Sequence, residues 1–157
     1  MTETFTLANA KDWVGRSIGT SDWVDIDQMQ VNIFGEVTRW RTPGHCDPEY
    51  AASGPYGGTI VHGFLMMSLI THFNRDTGLW PADGAHPLNY GLDKVRVLQP
   101  VVIGDGVSIR SHITLVGAED KGNGEVLLKS AHELEAKGVE KPVLYAEYLN
   151  YWFPRRD

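Results

Sequence analysis

Three short stretches hold side chains that could carry chemistry. His45 follows Pro43-Gly44 and precedes Cys46 and Asp47. An imidazole titrates near neutral pH, so a loop histidine can take or give a proton. Gly63 follows His62 near the start of an apolar segment. The first N–H groups of a helix lack internal partners, and the helix dipole favours negative charge there. A glycine at that point admits a ligand to the backbone, so the Gly63 amide is a candidate donor to a developing oxyanion. The third stretch is Arg39-Trp40-Arg41. It would suit an aromatic wall flanked by cationic anchors for an aromatic or anionic substrate.

Several neighbours have plainer readings. Gly57 and Gly58 could approach a phosphate or acyl group, and a tight turn explains them equally well. No Gly-Lys-Ser/Thr follows, so this is not a P-loop. His62 reads as a helix-start histidine that orients its neighbours by hydrogen bonding. Cys46 adjoins His45, but adjacent side chains point apart, which argues against a Cys–His nucleophile pair. His72, His86, His112 and His132 have no motif around them. No pair of histidines has helical metal-ligand spacing with a carboxylate, so no metal site is expected.

These residues need a frame. The chain has 157 residues, 42% apolar and 22% charged. That is ordinary globular composition, and the length suits one domain, residues 1–157, with a sizeable core. Net charge is −6 with scattered basic residues, which argues against nucleic-acid binding. Cys46 is the only cysteine, so no disulfide can form within the chain and a reducing, cytoplasmic setting fits. The N-terminus lacks a basic flank followed by an apolar run, and Phe64–Ile70 is far short of a bilayer span, so no membrane association is expected.

The elements follow from pattern. Residues 1–22 read as a loose arm with one amphipathic stretch, Leu7 to Val14. A helix begins at Asp27, a good cap, with Met29, Ile33, Phe34 and Val37 at helical spacing. Residues 39–46 read as loop. Asp47 caps a short helix with Pro48 at its first position. Thr59 to Phe73 is apolar nearly all round, the mark of a buried helix. Something must wrap it. Strand-like segments at Leu92–Ile103, Val107–Leu115, Val126–Leu134 and Val143–Phe153 are separated by polar turns and read as an antiparallel meander. One buried helix and a curved antiparallel sheet make an α+β fold.

The stretch from Phe34 to Ile70 resembles the hydratase motif of the MaoC-like, R-specific enoyl-CoA hydratase family. Phe34, Thr38, His45, Asp47, Ala51 and Ala52 fall in register with it, as do Gly57, Gly58, Ile60, His62, Gly63 and Phe64. Asn89 to Arg96 resembles the strand that follows. The resemblance runs from about Gly15 to the last strand. It implies a hot-dog fold, in which the sheet wraps the Thr59–Phe73 helix, and a homodimer with its site near the subunit interface. It also implies reversible addition of water to a 2-enoyl-CoA without metal or redox cofactor. Such a reaction needs a base for water, an acid for the alpha carbon and donors for the enolate oxygen. His45 and Gly63 would fill catalytic roles, and Lys94 and Arg96 could meet the phosphates of CoA or form a solvated strand face.

One departure is confined to a short block. The family's second catalytic group is an Asp five residues before the His, and here that position is Trp40. Glu36 and Asp47 are the nearest carboxylates in sequence. Asp47 reads as a helix cap, and Glu36 as exposed. The expected activity is that of a hydratase or dehydratase with a remodelled loop. The rivals are a lyase or isomerase on a non-CoA aromatic or carboxylated molecule, and an inactive ligand-binding or assembly subunit.

Overall fold

The computed structural model describes residues 3–156. Its sheet has six strands: β1 (Ser17–Thr20), β2 (Val24–Ile26), β3 (Gly84–Val97), β4 (Val107–Gly122), β5 (Glu125–Ala136) and β6 (Leu144–Pro154). The order is β1-β4-β5-β6-β3, with β2 also on β4, and every pairing is antiparallel. The predicted meander holds for β4-β5-β6. The strand before it does not join β4; it crosses to the far side of β6. β3 is therefore an edge.

Alternation along the strands decides what faces inward. Ile109, Ile113 and Leu115 of β4, Leu128 and Leu134 of β5, and Leu144 and Trp152 of β6 are buried. Five helices accompany the sheet: α1 (Gln28–Thr38), α2 (Pro43–Cys46), α3 (Pro48–Ala52), α4 (Gly63–Ser68) and α5 (Ile70–Asp76); α1, α4 and α5 send residues into the core, and α2 packs between α1 and α3. Met66, Ile70 and Phe73 from the last two enter the core. Each large side chain so buried contributes roughly 1.5–3 kcal/mol. This is the hot-dog arrangement expected, with three corrections to the helix at its centre. Residues 59–62 are extended, and Ile60 bridges Val102. The helix then runs in two pieces joined at Leu69, whose N–H donates to Leu65 and whose carbonyl accepts from Phe73. Nor is it buried all round, because Phe64 is 74% exposed.

The N-terminal arm is not loose either. Phe5 and Leu7 belong to the core, and β1 pairs with β4. Met1 and Thr2 lie outside the described residues.

α1 starts at a capping box. The Asp27 carboxylate accepts from Gln30 N–H at 2.9 Å, and the Gln30 side chain accepts from Asp27 N–H at 2.8 Å. It ends at Arg39, whose backbone is left-handed at φ 59°. That turn reverses the chain so that Trp40 N–H reaches the Gly35 carbonyl at 2.9 Å. At Gly35 an added Cβ would lie 3.1 Å from Cys46 Sγ, so this glycine lets α2 press against α1.

Candidate active site

His45 lies on α2, a single helical turn where the sequence suggested loop. Pro43 occupies its first turn, where the missing N–H costs nothing. Three bonds fix the histidine from three directions. The Thr42 carbonyl accepts its N–H at 3.1 Å. Its own carbonyl accepts from the Gln28 amide at 2.8 Å, and Gln28 in turn accepts from the Thr59 hydroxyl. Its ring Nδ1 lies 2.7 Å from the Ile60 carbonyl. A carbonyl only accepts, so Nδ1 carries the proton and the neutral ring keeps a lone pair on Nε2.

His62 packs behind it. The two rings stack at 3.9 Å between centroids with 29° between planes. His62 is buried and its Nε2–H donates to the Val31 carbonyl at 3.2 Å. Burial holds its proton affinity below the ordinary histidine value, and nearby His45 adds in the same direction. The bond to Val31 opposes them. A ring so placed is neutral near pH 7.

A hollow of about 490 Å³ opens in front of the pair, walled by Phe34, Thr38, Trp40, His45, Gly63 and Phe64, with His62 and Ser68 completing it. A second, of about 420 Å³, shares His45, Gly63 and Phe64 and adds Tyr56, Met67 and Val97 among others. His45, Gly63 and Phe64 thus border both. Gly63 opens α4. The first intrahelical bond there is Met66 N–H to the His62 carbonyl, at 3.2 Å, so the Gly63, Phe64 and Leu65 amides precede it. The neighbour that demands a glycine at 63 is Val97: an added Cβ would meet its Cγ2 at 2.8 Å.

Among the described residues, no carboxylate lines either hollow. Glu36 is turned to Arg41 at 2.6 Å, both exposed. Asp47 accepts from Tyr50 N–H at 3.0 Å and caps α3 as expected. The hydroxyls of Thr38 and Ser68 each donate back into their own helix, to Phe34 and Phe64. Among the described residues the basic nitrogens at the pocket are therefore those of its two imidazoles: Nε2 of His45, and Nδ1 of the buried His62, whose Nε2–H is committed to Val31.

Other expected contributors stand elsewhere. Trp40 does form a wall, but the flanking cations stand outside the hollow. Arg39 supplies the left-handed turn, which sends Trp40 into the pocket and folds Arg41 back onto Glu36. Neither arginine lines the hollow. Gly57 takes φ 70° in a turn, and Gly58 packs on Val102, with 3.2 Å from an added Cβ. Lys94 pairs with Glu147 at 2.7 Å, and the Arg96 guanidinium donates to the Val95 carbonyl at 2.7 Å. Both lie on β3 and outside the two hollows. Cys46 is buried against Gly35, and burial raises its thiol pKa, so it is not an activated nucleophile.

Gln28 and Phe64 went unremarked as site residues in the sequence. Gln28 sits in a helix's first turn, where no pattern distinguishes it. Phe64 reads as core, and only its exposure shows that it borders the pocket.

Comparison with known proteins places the site in context. The family described as MaoC like domain matches residues 9–134. The chain is 41% identical over 145 residues to 3-hydroxyacyl-thioester dehydratase Z of Mycobacterium tuberculosis, covering 92% of this chain and 93% of that one. It is 33% identical over 147 residues to nodulation protein N of Rhizobium leguminosarum bv. viciae, covering 92% and 89%. Its fold is similar to that of an unliganded R-hydratase from Pseudomonas aeruginosa, with TM-score 0.71 and 22% identity over 91% of this chain and 83% of that one.

Proposed function

Because this chain belongs to the MaoC-like domain family, we propose that it is a hydro-lyase of acyl thioesters, with His45 as its acid–base group and the Gly63 amide as its oxyanion donor. The substrate is a 3-hydroxyacyl thioester in one direction and a 2-enoyl thioester, such as an enoyl-CoA, in the other. In dehydration, His45 Nε2 takes a proton from the alpha carbon, and negative charge moves onto the thioester oxygen. The Gly63 N–H at the start of α4 faces that charge. The bond between the beta carbon and oxygen then breaks. The leaving hydroxyl takes the proton back from His45 and departs as water. Hydration is the reverse.

The observation that carries this reading is the pinned ring of His45. The Ile60 carbonyl holds Nδ1–H, which leaves Nε2 for the pocket that Gly63 also borders. One imidazole serves both proton transfers here, because position 40 holds an indole. A positioned acid or base contributes roughly 10²–10⁴-fold, so the rate falls below that of a site with a carboxylate there. Lys94 and Arg96 have no part in it.

The same reading makes one domain, residues 1–157, a subunit of a homodimer in the cytoplasm. β3 ends the sheet with an unpaired row of backbone groups among the described residues, and Leu88, Tyr90 and Leu92 are exposed along it. A long apolar edge of that kind invites a second copy. No helix among the described residues is long and apolar enough to cross a membrane.

The test is hydration of a short enoyl-CoA by the protein beside His45→Ala and Trp40→Asp. Turnover that His45→Ala abolishes supports the reading. Failure of both the protein and Trp40→Asp to turn over overturns it. An inactive protein with an active Trp40→Asp favours the second reading, to which the indole in the pocket points: a subunit that binds ligand without reaction.

A further inference from the structure

We propose that His62 is a positioning residue: its buried ring is the platform that holds His45 in its reactive orientation. The role rests on His45 being the reacting base, but the placement it describes can be measured without turnover.

His45 needs such a platform. It stands on one helical turn and is half-buried. The torsion at the end of a histidine side chain is broad, so backbone alone does not orient the ring. The bond from Nδ1–H to Ile60 fixes one edge. The stack on His62 fixes the plane. Only the two together aim Nε2 at the pocket.

His62 is over-determined in its turn. It is 3% exposed, bonded through Nε2–H to Val31 of α1, and tilted against Phe34 at 5.2 Å. It also immediately precedes Gly63. The bond to Val31 therefore ties the start of α4 to α1, and one residue sets both the base and the amide that receives the developing charge.

The charge balance agrees. Around the pair, α1 presents Phe34 and Thr38 to the pocket, α4 presents Gly63 and Phe64, and Glu36 is engaged by Arg41. Among the described residues, no lysine, arginine or carboxylate lines the hollow. A neutral aromatic face tolerates a cation above it, so the imidazolium formed on His45 during proton transfer meets no like charge from His62.

Three variants in the full chain separate this role from simple packing: His62→Phe keeps a ring, His62→Gln keeps a donor without a ring, and His62→Leu keeps neither. Melting temperature reports folding. In nitrogen-15-labelled protein, the ring Nδ1–H of His45 gives a signal, protected by Ile60, that is identified by its loss in His45→Ala. That signal is expected to persist in His62→Phe and to vanish in His62→Gln and His62→Leu. Misplacement of a reacting group by about 1 Å costs on the order of 10²-fold, so kcat for enoyl-CoA hydration should fall by roughly 10–10² in the latter two with KM little changed. His62→Phe should recover most of it. If folded His62→Leu keeps the signal, or if His62→Phe loses it as fully as His62→Gln, the platform role is wrong. Should His62→Leu fail to fold, the Phe and Gln pair decides. Absence of turnover in the parent would sink the hydratase reading, while the ring signals would still decide the role of His62.

Discussion

Two regions of this molecule bury imidazoles, and they do opposite things with them. At the pocket, His45 lines the hollow and has one nitrogen committed to Ile60 and the other uncommitted. In the core, His132 of β5 has both nitrogens taken. Ser111 Oγ lies 3.0 Å from Nδ1 and Ser130 Oγ 3.0 Å from Nε2, and the Ser130 hydroxyl also donates to Asn74 at 3.1 Å. His132 is fully buried, and desolvation pulls its pKa down to about 3. Saturated partners and burial make a structural histidine. An uncommitted nitrogen beside an open pocket leaves a histidine available for chemistry. Neither distinction is visible in the residue type.

The largest test of that contrast is catalytic. His45→Ala is expected to lower kcat/KM for enoyl-CoA hydration by roughly 10²–10⁴, and Trp40→Asp to raise it within a similar range. His132→Gln should leave the chemical step close to the parent in any protein that still folds. A loss there as deep as that of His45→Ala would erase the contrast.

Acid stability sharpens the other side. The folded pKa of His132, about 3, is below its unfolded value near 6.5. The unfolded state therefore binds the proton first. The contribution of neutral His132 is complete above pH 6.5 and is lost as pH falls towards 3, by about 1.4 kcal/mol per pH unit. Urea melts between pH 7 and 4 should show that slope, and His132→Gln should flatten it. An unchanged slope would mean that carboxylates alone govern acid unfolding.

Gly63 offers a smaller effect with a built-in control. Overpacking a tight site costs typically 1–3 kcal/mol, and Gly63→Ala places a methyl against Val97. Adding Val97→Ala should restore the melting temperature. If kcat also returns, the space at Gly63 served Val97 rather than the substrate. The smallest effect belongs to the Glu36–Arg41 pair. Both side chains are more than half exposed, so Arg41→Ala should move stability by less than about 1 kcal/mol. A large loss of activity in Arg41→Ala would return that arginine to the site.

The strand segments that became β4 and β5, the Asp27 and Asp47 caps and the Phe34-to-Phe64 motif were all legible in the chain. They are local, and the chain dictates local geometry through propensity, capping and period. The motif also linked His45 with Gly63, and it marked Trp40 as the position out of pattern. Distance in sequence hid the rest. Gln28 holds His45 across 17 residues, and His62 reaches Val31 across 31. Lys94, Arg96 and Arg41 are plausible anchors by charge alone until Glu147, Val95 and Glu36 are seen to occupy them. His132 had no motif because its partners are two serines, Ser111 on the neighbouring strand and Ser130 two residues back on its own, which carry no signature in the chain. By itself the sequence determined the fold class and the helix caps and nominated His45 and Gly63 as candidates for the reacting groups, because these depend on near neighbours. Which nitrogen is free, which charge is already paired and which aromatic ring borders the pocket were decided only when β-strand register and helix packing brought distant residues within bonding range.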